Sequence, residues 1–135
     1  MVILVDTSVW IEHLRRTRSR AHLEFRELVT TDPGIIATCE PIAMELLAGP
    51  TDPFTVHRIE DQLGALEDLT VDPAQDFRAA AALSRAVRRT GHIVRSTTDC
   101  LIAAIALRHE VPLWHCDQDY LRIAEVTGLE QRDLR

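Results

Sequence analysis

Apolar positions fall into two patterns along this chain. Short, largely apolar runs occur at Val2–Val5, Ile35–Cys39 and Val111–Cys116, and such runs predict buried strands. Between them, apolar residues recur every three or four positions and predict amphipathic helices. Thr7–Arg15 sets Val9, Trp10 and Leu14 on one stripe, and a polar, arginine-rich joint (Arg15–Arg20) leads to a second helix carrying Leu23, Phe25, Leu28 and Val29. Thr31–Gly34 reads as a turn. A third helix has Pro41 near its first position and Gly49 past its end, the usual asymmetry of helix punctuation. Phe54–Leu66, Pro73–Thr90, Thr98–His109 and Gln118–Thr127 complete the helical set, with short strands expected at Leu69–Val71 and at the Leu129–Leu134 edge.

Strands alternating with helices predict a parallel sheet covered on both faces, joined by right-handed crossovers. Ligands bind such sheets in the crevice beyond the carboxyl ends of the strands. The acidic residues are informative against that frame. Asp6 ends the first strand, and Asp117 and Asp119 directly follow the Val111–Cys116 run. Each has two readings, a helix N-cap or a functional ligand. Glu45 is the only charged residue between Pro41 and Gly49, so an apolar helical stripe must desolvate it unless a cation meets it. Asp99 heads Cys100–Leu107, a helix apolar all round. It too could serve the helix terminus, although Thr97 or Thr98 could be the cap.

Composition sharpens this picture. The chain has 135 residues, enough for one domain (1–135) with a proper core, and its 46% apolar and 27% charged content is ordinary for a globular protein. No run approaches the roughly 20 apolar residues of a membrane span. The amino-terminal run has no basic segment ahead of it and ends in Asp6, unlike a signal peptide. These features predict a cytoplasmic protein, with Cys39, Cys100 and Cys116 as free thiols. Net charge is −6, and every basic residue is arginine. The absence of lysine argues against a P-loop site, a Schiff-base enzyme, a haloacid-dehalogenase-type phosphatase and an active receiver domain. It also leaves converging carboxylates with no lysine to neutralise them. Hard divalent cations such as Mg2+ or Mn2+ relieve that repulsion through all-oxygen ligation, and a pair of such ions suits in-line displacement at a phosphodiester.

Four segments, "VDTSVWIE", "MELLAG", "DCLIAAIAL" and "CDQDYLRIA", resemble in order and spacing the PIN-domain ribonucleases, specifically the VapC toxins of type II toxin–antitoxin pairs. The resemblance covers essentially the whole chain. It implies a three-layer α/β/α sandwich with a mainly parallel sheet, and a catalytic, metal-binding set of Asp6, Glu45, Asp99 and Asp117, with Asp119 as a fifth carboxylate. Thr7 or Ser8 would orient a water or ligand. It further implies Mg2+- or Mn2+-dependent endoribonuclease activity on cellular RNA such as tRNA or rRNA. The implied assembly is a homodimer, neutralised by a VapB-type antitoxin in a heterotetramer or larger complex. Two positions depart from the family pattern. His115 stands where relatives often have a hydroxyl residue, and Tyr120 where many have phenylalanine.

RNA contacts in an acidic protein must come from local arginines. The candidates are Arg15, Arg16, Arg18 and Arg20 near the first helix, and Arg85, Arg88, Arg89 and Arg95 around the fifth. The histidines lack zinc-site spacing. Trp10, Trp114 and the phenylalanines read as core or dimer contacts, and Phe54–Leu66 could border an antitoxin groove. The competing class is a PIN-like module that binds RNA or protein without cleaving; the complete acid set favours the nuclease. An RNase H-like nuclease fits poorly, because such folds open on antiparallel hairpins.

Overall fold

The amino-terminal run forms the innermost strand, β1 (Ile3–Val5), in a computed structural model that describes residues 1–135. Strand β2 (Ile36–Thr38) lies on one side of it and β4 (Leu113–His115) on the other. The outer strands are β3 (Glu67–Asp68) and β5 (Gln131–Asp133), giving the order β3-β2-β1-β4-β5 with every pair parallel. Leu4 faces Ala37 across one ladder and Leu113 across the other. A strand bonded on both edges and covered on both faces has no polar side to present, which is why β1 is apolar throughout.

Seven helices flank the sheet: α1 (Thr7–Arg15), α2 (Arg20–Thr31), α3 (Glu40–Ala48), α4 (Pro53–Gly64), α5 (Asp76–Arg88), α6 (Thr97–His109) and α7 (Gln118–Glu125). Helices α1 and α2 pack together, α5 and α7 pack on α6, and α3 touches both α1 and α6. The all-round apolar sequence of α6 has the expected consequence: Cys100 and Ile102–Ala106 are buried. Trp10 lies in the core edge-on to Phe25, with ring centroids 4.8 Å apart. All three cysteines are free thiols. No helix is long and apolar enough to cross a membrane.

The topology decides where chemistry can sit. From β1 the chain moves outward through β2 to β3, then crosses to β4 on the far side of β1 and ends at β5. The carboxyl ends of β1 and β4 therefore adjoin at the switch point of the sheet, where a crevice opens. The main-chain ladder continues to that edge, with the Asp6 N–H donating to the Trp114 carbonyl at 2.9 Å.

Three local expectations are corrected. The third strand is Glu67–Asp68, not Leu69–Val71. An edge strand tolerates polar residues on its exposed faces, while Leu69 turns into the core and the Val71 N–H is captured by Glu40 Oε1 at 3.0 Å. Helix α5 begins at Asp76 rather than Pro73, because Asp72 organises a turn by accepting the Ala74 N–H at 3.0 Å and the Asp76 N–H at 2.8 Å. At the start of α6, Ser96 takes the cap position instead of Thr97 or Thr98, with no side-chain capping bond.

Candidate active site

Asp6 is fixed by the turn that joins β1 to α1. It is the N-cap of α1, and its Oδ2 accepts the Ser8 N–H at 3.0 Å and the Ser8 hydroxyl at 2.6 Å. The Ser8 Oγ in turn accepts the Cys116 N–H at 2.9 Å, which locks the end of β4 to the same carboxylate. Asp6 Oδ1 accepts the Tyr120 hydroxyl at 2.7 Å. Asp117 is likewise the N-cap of α7, its Oδ1 accepting the Asp119 N–H at 2.9 Å. For these two aspartates the cap reading holds, and the cap bonds fix where the carboxylates point.

Asp99 is different. It lies in the first turn of α6, and the bond its carboxylate accepts is a 3.3 Å contact with the Tyr120 hydroxyl. Capping therefore does not account for it. Asp99, Asp117 and Asp119 present carboxylate oxygens within 4.8 Å of one another. Asp119 Oδ2 also accepts the Arg95 N–H at 3.0 Å. None of the molecule's ion pairs reaches Asp6, Glu45, Asp99, Asp117 or Asp119. Burial, and then the charges of Asp6, Asp117, Glu45 and Asp119, push the Asp99 carboxyl up to about 8. An all-oxygen cluster that no ion pair reaches fits a hard divalent ion, which would offset both causes of that shift.

Glu45 joins the group at one remove. On α3 it is half-buried, and its Oε1 accepts the Thr7 hydroxyl at 2.7 Å. No protein cation pairs with this carboxylate; a hydroxyl and partial exposure meet it. Burial raises the Glu45 pKa, the Thr7 bond lowers it, and the nearby Asp6 charge raises it, for a net upward shift.

The PIN-domain family profile matches residues 3–126. The chain is 48% identical over 134 residues to Ribonuclease VapC11 of Mycobacterium tuberculosis, covering 99% of this chain and 100% of that protein. The same figures hold for VapC ribonuclease Mb1587 of Mycobacterium bovis. The chain belongs to the VapC group of PIN-domain proteins. Solved structures share its fold: DNA-bound VapBC from Salmonella typhimurium superposes with a TM-score of 0.77 at 18% identity, covering 100% of this chain and 99% of that one. VapBC-1 from nontypeable Haemophilus influenzae gives 0.77 at 17% identity, with 99% and 98% covered.

In this VapC-type PIN domain the candidate arginines separate into distinct groups. Arg16 and Arg18, both with left-handed backbones, line a cavity of about 710 Å³ together with His13, His22, Arg26 and Arg58. This cavity lies toward the carboxyl end of α1, a nine-residue helix that starts beside Asp6 and so spans roughly 13 Å. Arg20 is committed to Glu24 at 2.9 Å. Arg95 lines a second concavity of about 340 Å³ with His92, Arg122 and Arg135, bordered by Asp117 and Asp119. Arg15, Arg85, Arg88 and Arg89 line neither.

Arg26, Arg58, Arg122 and Arg135 escape the sequence pattern. Each is isolated in sequence, so only the folded chain brings it beside the others. Tyr120 stands out by its departure from phenylalanine, but its two carboxylate contacts have no sequence signal. His115 is fully buried, and its Nδ1 accepts the Asp117 N–H at 3.1 Å. Its Nε2 must therefore carry the proton that meets Gln131 Oε1 at 2.7 Å.

Proposed function

We propose that this chain is a metal-dependent endoribonuclease acting as the toxin of a toxin–antitoxin pair. The observation that carries the reading is the cluster of Asp99, Asp117 and Asp119, with oxygens within 4.8 Å and no cation paired to them. The relatives at 48% identity are named ribonucleases, which supports RNA as the substrate. Asp6, Asp99, Asp117 and Asp119 would hold Mg2+ or Mn2+, with Glu45 beside them. Such an ion supplies Lewis acidity at the phosphoryl oxygen and lowers the pKa of the attacking water.

The protein's own residues do the rest. Ser8 and Tyr120 hold Asp6, the Arg95 N–H holds Asp119, and Thr7 holds Glu45 through Oε1, leaving Oε2 free to orient a water. The two arginine-lined concavities, one toward the carboxyl end of α1 and one bordered by Asp117 and Asp119, offer phosphate contacts, since phosphate neutralisation supplies most of the affinity for a nucleic acid strand. An antitoxin would inhibit by bringing a basic side chain into the same carboxylates, supplying the cation they lack. The VapBC structures named above are toxin–antitoxin complexes, which supports such a partner. A toxin homodimer belongs to the same proposal, checked by light scattering.

The test is RNA cleavage by purified protein with Mg2+ or Mn2+. We expect cleavage that EDTA abolishes and that Asp6→Ala and Asp99→Ala remove while the fold is retained. Undiminished cleavage by Asp6→Ala would overturn the metal-ligand assignment. Binding of RNA without cleavage under any metal would favour the non-catalytic module.

A further inference from the structure

The chain's single tyrosine is fully buried, and its hydroxyl sits between two carboxylates supplied by distant segments. A buried hydroxyl is retained where it finds a partner, because an unpaired one costs about 1–3 kcal/mol. Here the single proton is shared unevenly, 2.7 Å from Asp6 Oδ1 and 3.3 Å from Asp99 Oδ1. The shorter distance is that of a charge-assisted bond.

Counting acceptor sites shows what this does to Asp6. An ionised carboxylate has about four lone-pair positions. Ser8 occupies both on Oδ2, through its N–H and its hydroxyl, and Tyr120 occupies one on Oδ1. The one position left for a cation is on Oδ1, the atom the tyrosine holds. Asp99 offers its own Oδ1 to the same hydroxyl.

The tyrosine ring is held from behind. It lies 5.0 Å from the His115 ring, centroid to centroid. His115 is anchored to Gln131 on β5 and accepts the Asp117 N–H. One packed series, from Gln131 through His115 and Tyr120, thus reaches Asp6 and Asp99 while also touching the backbone of Asp117.

We propose that Tyr120 is a positioning residue: its hydroxyl sets the spacing of Asp6 Oδ1 and Asp99 Oδ1 and so prepares the divalent-cation site before the ion binds. This rests on the metal-dependent reading above. The general expectation for groups that orient metal ligands is a loss of roughly 10–100-fold in affinity when they are removed. Phenylalanine keeps the ring and its packing on His115 and deletes only the hydroxyl.

Mn2+ binding to the metal-free protein, measured by calorimetry and by EPR of free Mn2+, tests this. We expect Tyr120→Phe to weaken Mn2+ binding at least about 10-fold, with RNA cleavage recovering toward wild type as Mn2+ is raised. A merely structural role would lower thermal stability and leave the Mn2+ affinity of the folded protein unchanged; that result overturns the proposal. Because there is one tyrosine, 3-fluorotyrosine labels this position alone. Its single 19F resonance should move during a Mg2+ titration and saturate with the Mg2+ affinity measured by calorimetry on the same protein; a static resonance overturns the proposal even if the phenylalanine variant folds poorly. If wild-type protein binds neither ion, the metal-dependent reading itself fails and the proposal falls with it. If wild type binds and Tyr120→Phe binds equally well, only the role of Tyr120 fails.

Discussion

Replacing Asp99 by asparagine should stabilise the metal-free fold, and by an amount that depends on pH. Asp99 is 8% exposed and lies among carboxylates with no paired cation. Burial and that repulsion raise its pKa from 3.8 to about 8. At about 1.4 kcal/mol per unit, this corresponds to roughly 6 kcal/mol against the charged form, out of a typical total stability of about 5–15 kcal/mol. Neighbouring carboxylates can take up part of the proton, so we expect about 2–3 kcal/mol from removing one of them. Between pH 4 and pH 8 the folded state holds a proton that the unfolded chain has released, so wild-type stability falls as pH rises through this window. The asparagine side chain is neutral in both states and escapes that slope. Urea denaturation in EDTA should therefore show a gap below about 1 kcal/mol at pH 4.5 and the full ~2–3 kcal/mol at pH 8.5, about 10 °C in Tm at this chain length. Saturating Mn2+ should close the pH 8.5 gap, adding about 2.7 kcal/mol to wild type at 100 times Kd and little to Asp99→Asn. A variant destabilised equally at both pH values, or a wild-type profile flat across the window, would refute the electrostatic account.

The other predictions concern parts of the molecule with different physics. Arg108→Ala should cost about 3–5 kcal/mol in chemical denaturation, because it strands Asp76, 1% exposed, which now accepts Arg108 Nε and Nη2 at 2.9 Å each. The Asp76 carboxyl has the opposite sign to Asp99: burial raises its pKa, but the Arg108 hydrogen bond and charge bring it to a net value below the ordinary range. Its contribution to stability is accordingly present above pH 4 and lost in acid, and Arg108→Ala should flatten that acid limb. Replacing Arg16, Arg18 and Arg58 together should weaken binding of single-stranded RNA and reduce the slope of log affinity against log salt by about 0.7 per lost phosphate contact. Arg20→Ala, whose guanidinium is already occupied by Glu24, should change that slope less; identical slopes for all these proteins would remove the cavity from the RNA path. Thr7→Val should release Glu45 and lower cleavage at limiting Mn2+ by about 10-fold, with unchanged activity telling against the Thr7–Glu45 bond.

Much of this protein is legible in its sequence, for a physical reason that differs between elements. Strand β1 declares itself because a strand buried on both faces must be apolar throughout, and α6 does so because a helix surrounded by other elements must be apolar all round. Glu45 and Asp99 stand out because ionisable groups in apolar stretches carry a desolvation cost. The apolar pattern places edge strand β3 two residues late, since exposed Glu67 and Asp68 give no strand signal of their own.

What sequence alone determined was the set of chemical groups and the α/β class, because burial periodicity and charge composition are local properties. Tertiary structure decided which of those groups meet. It placed β4 beside β1, so that Tyr120 on the helix after β4 meets Asp6 across more than a hundred residues. It also gathered Arg26 and Arg58 with Arg16 and Arg18, and set one tyrosine hydroxyl between two aspartates. Those juxtapositions depend on strand order and helix packing, which no local pattern encodes.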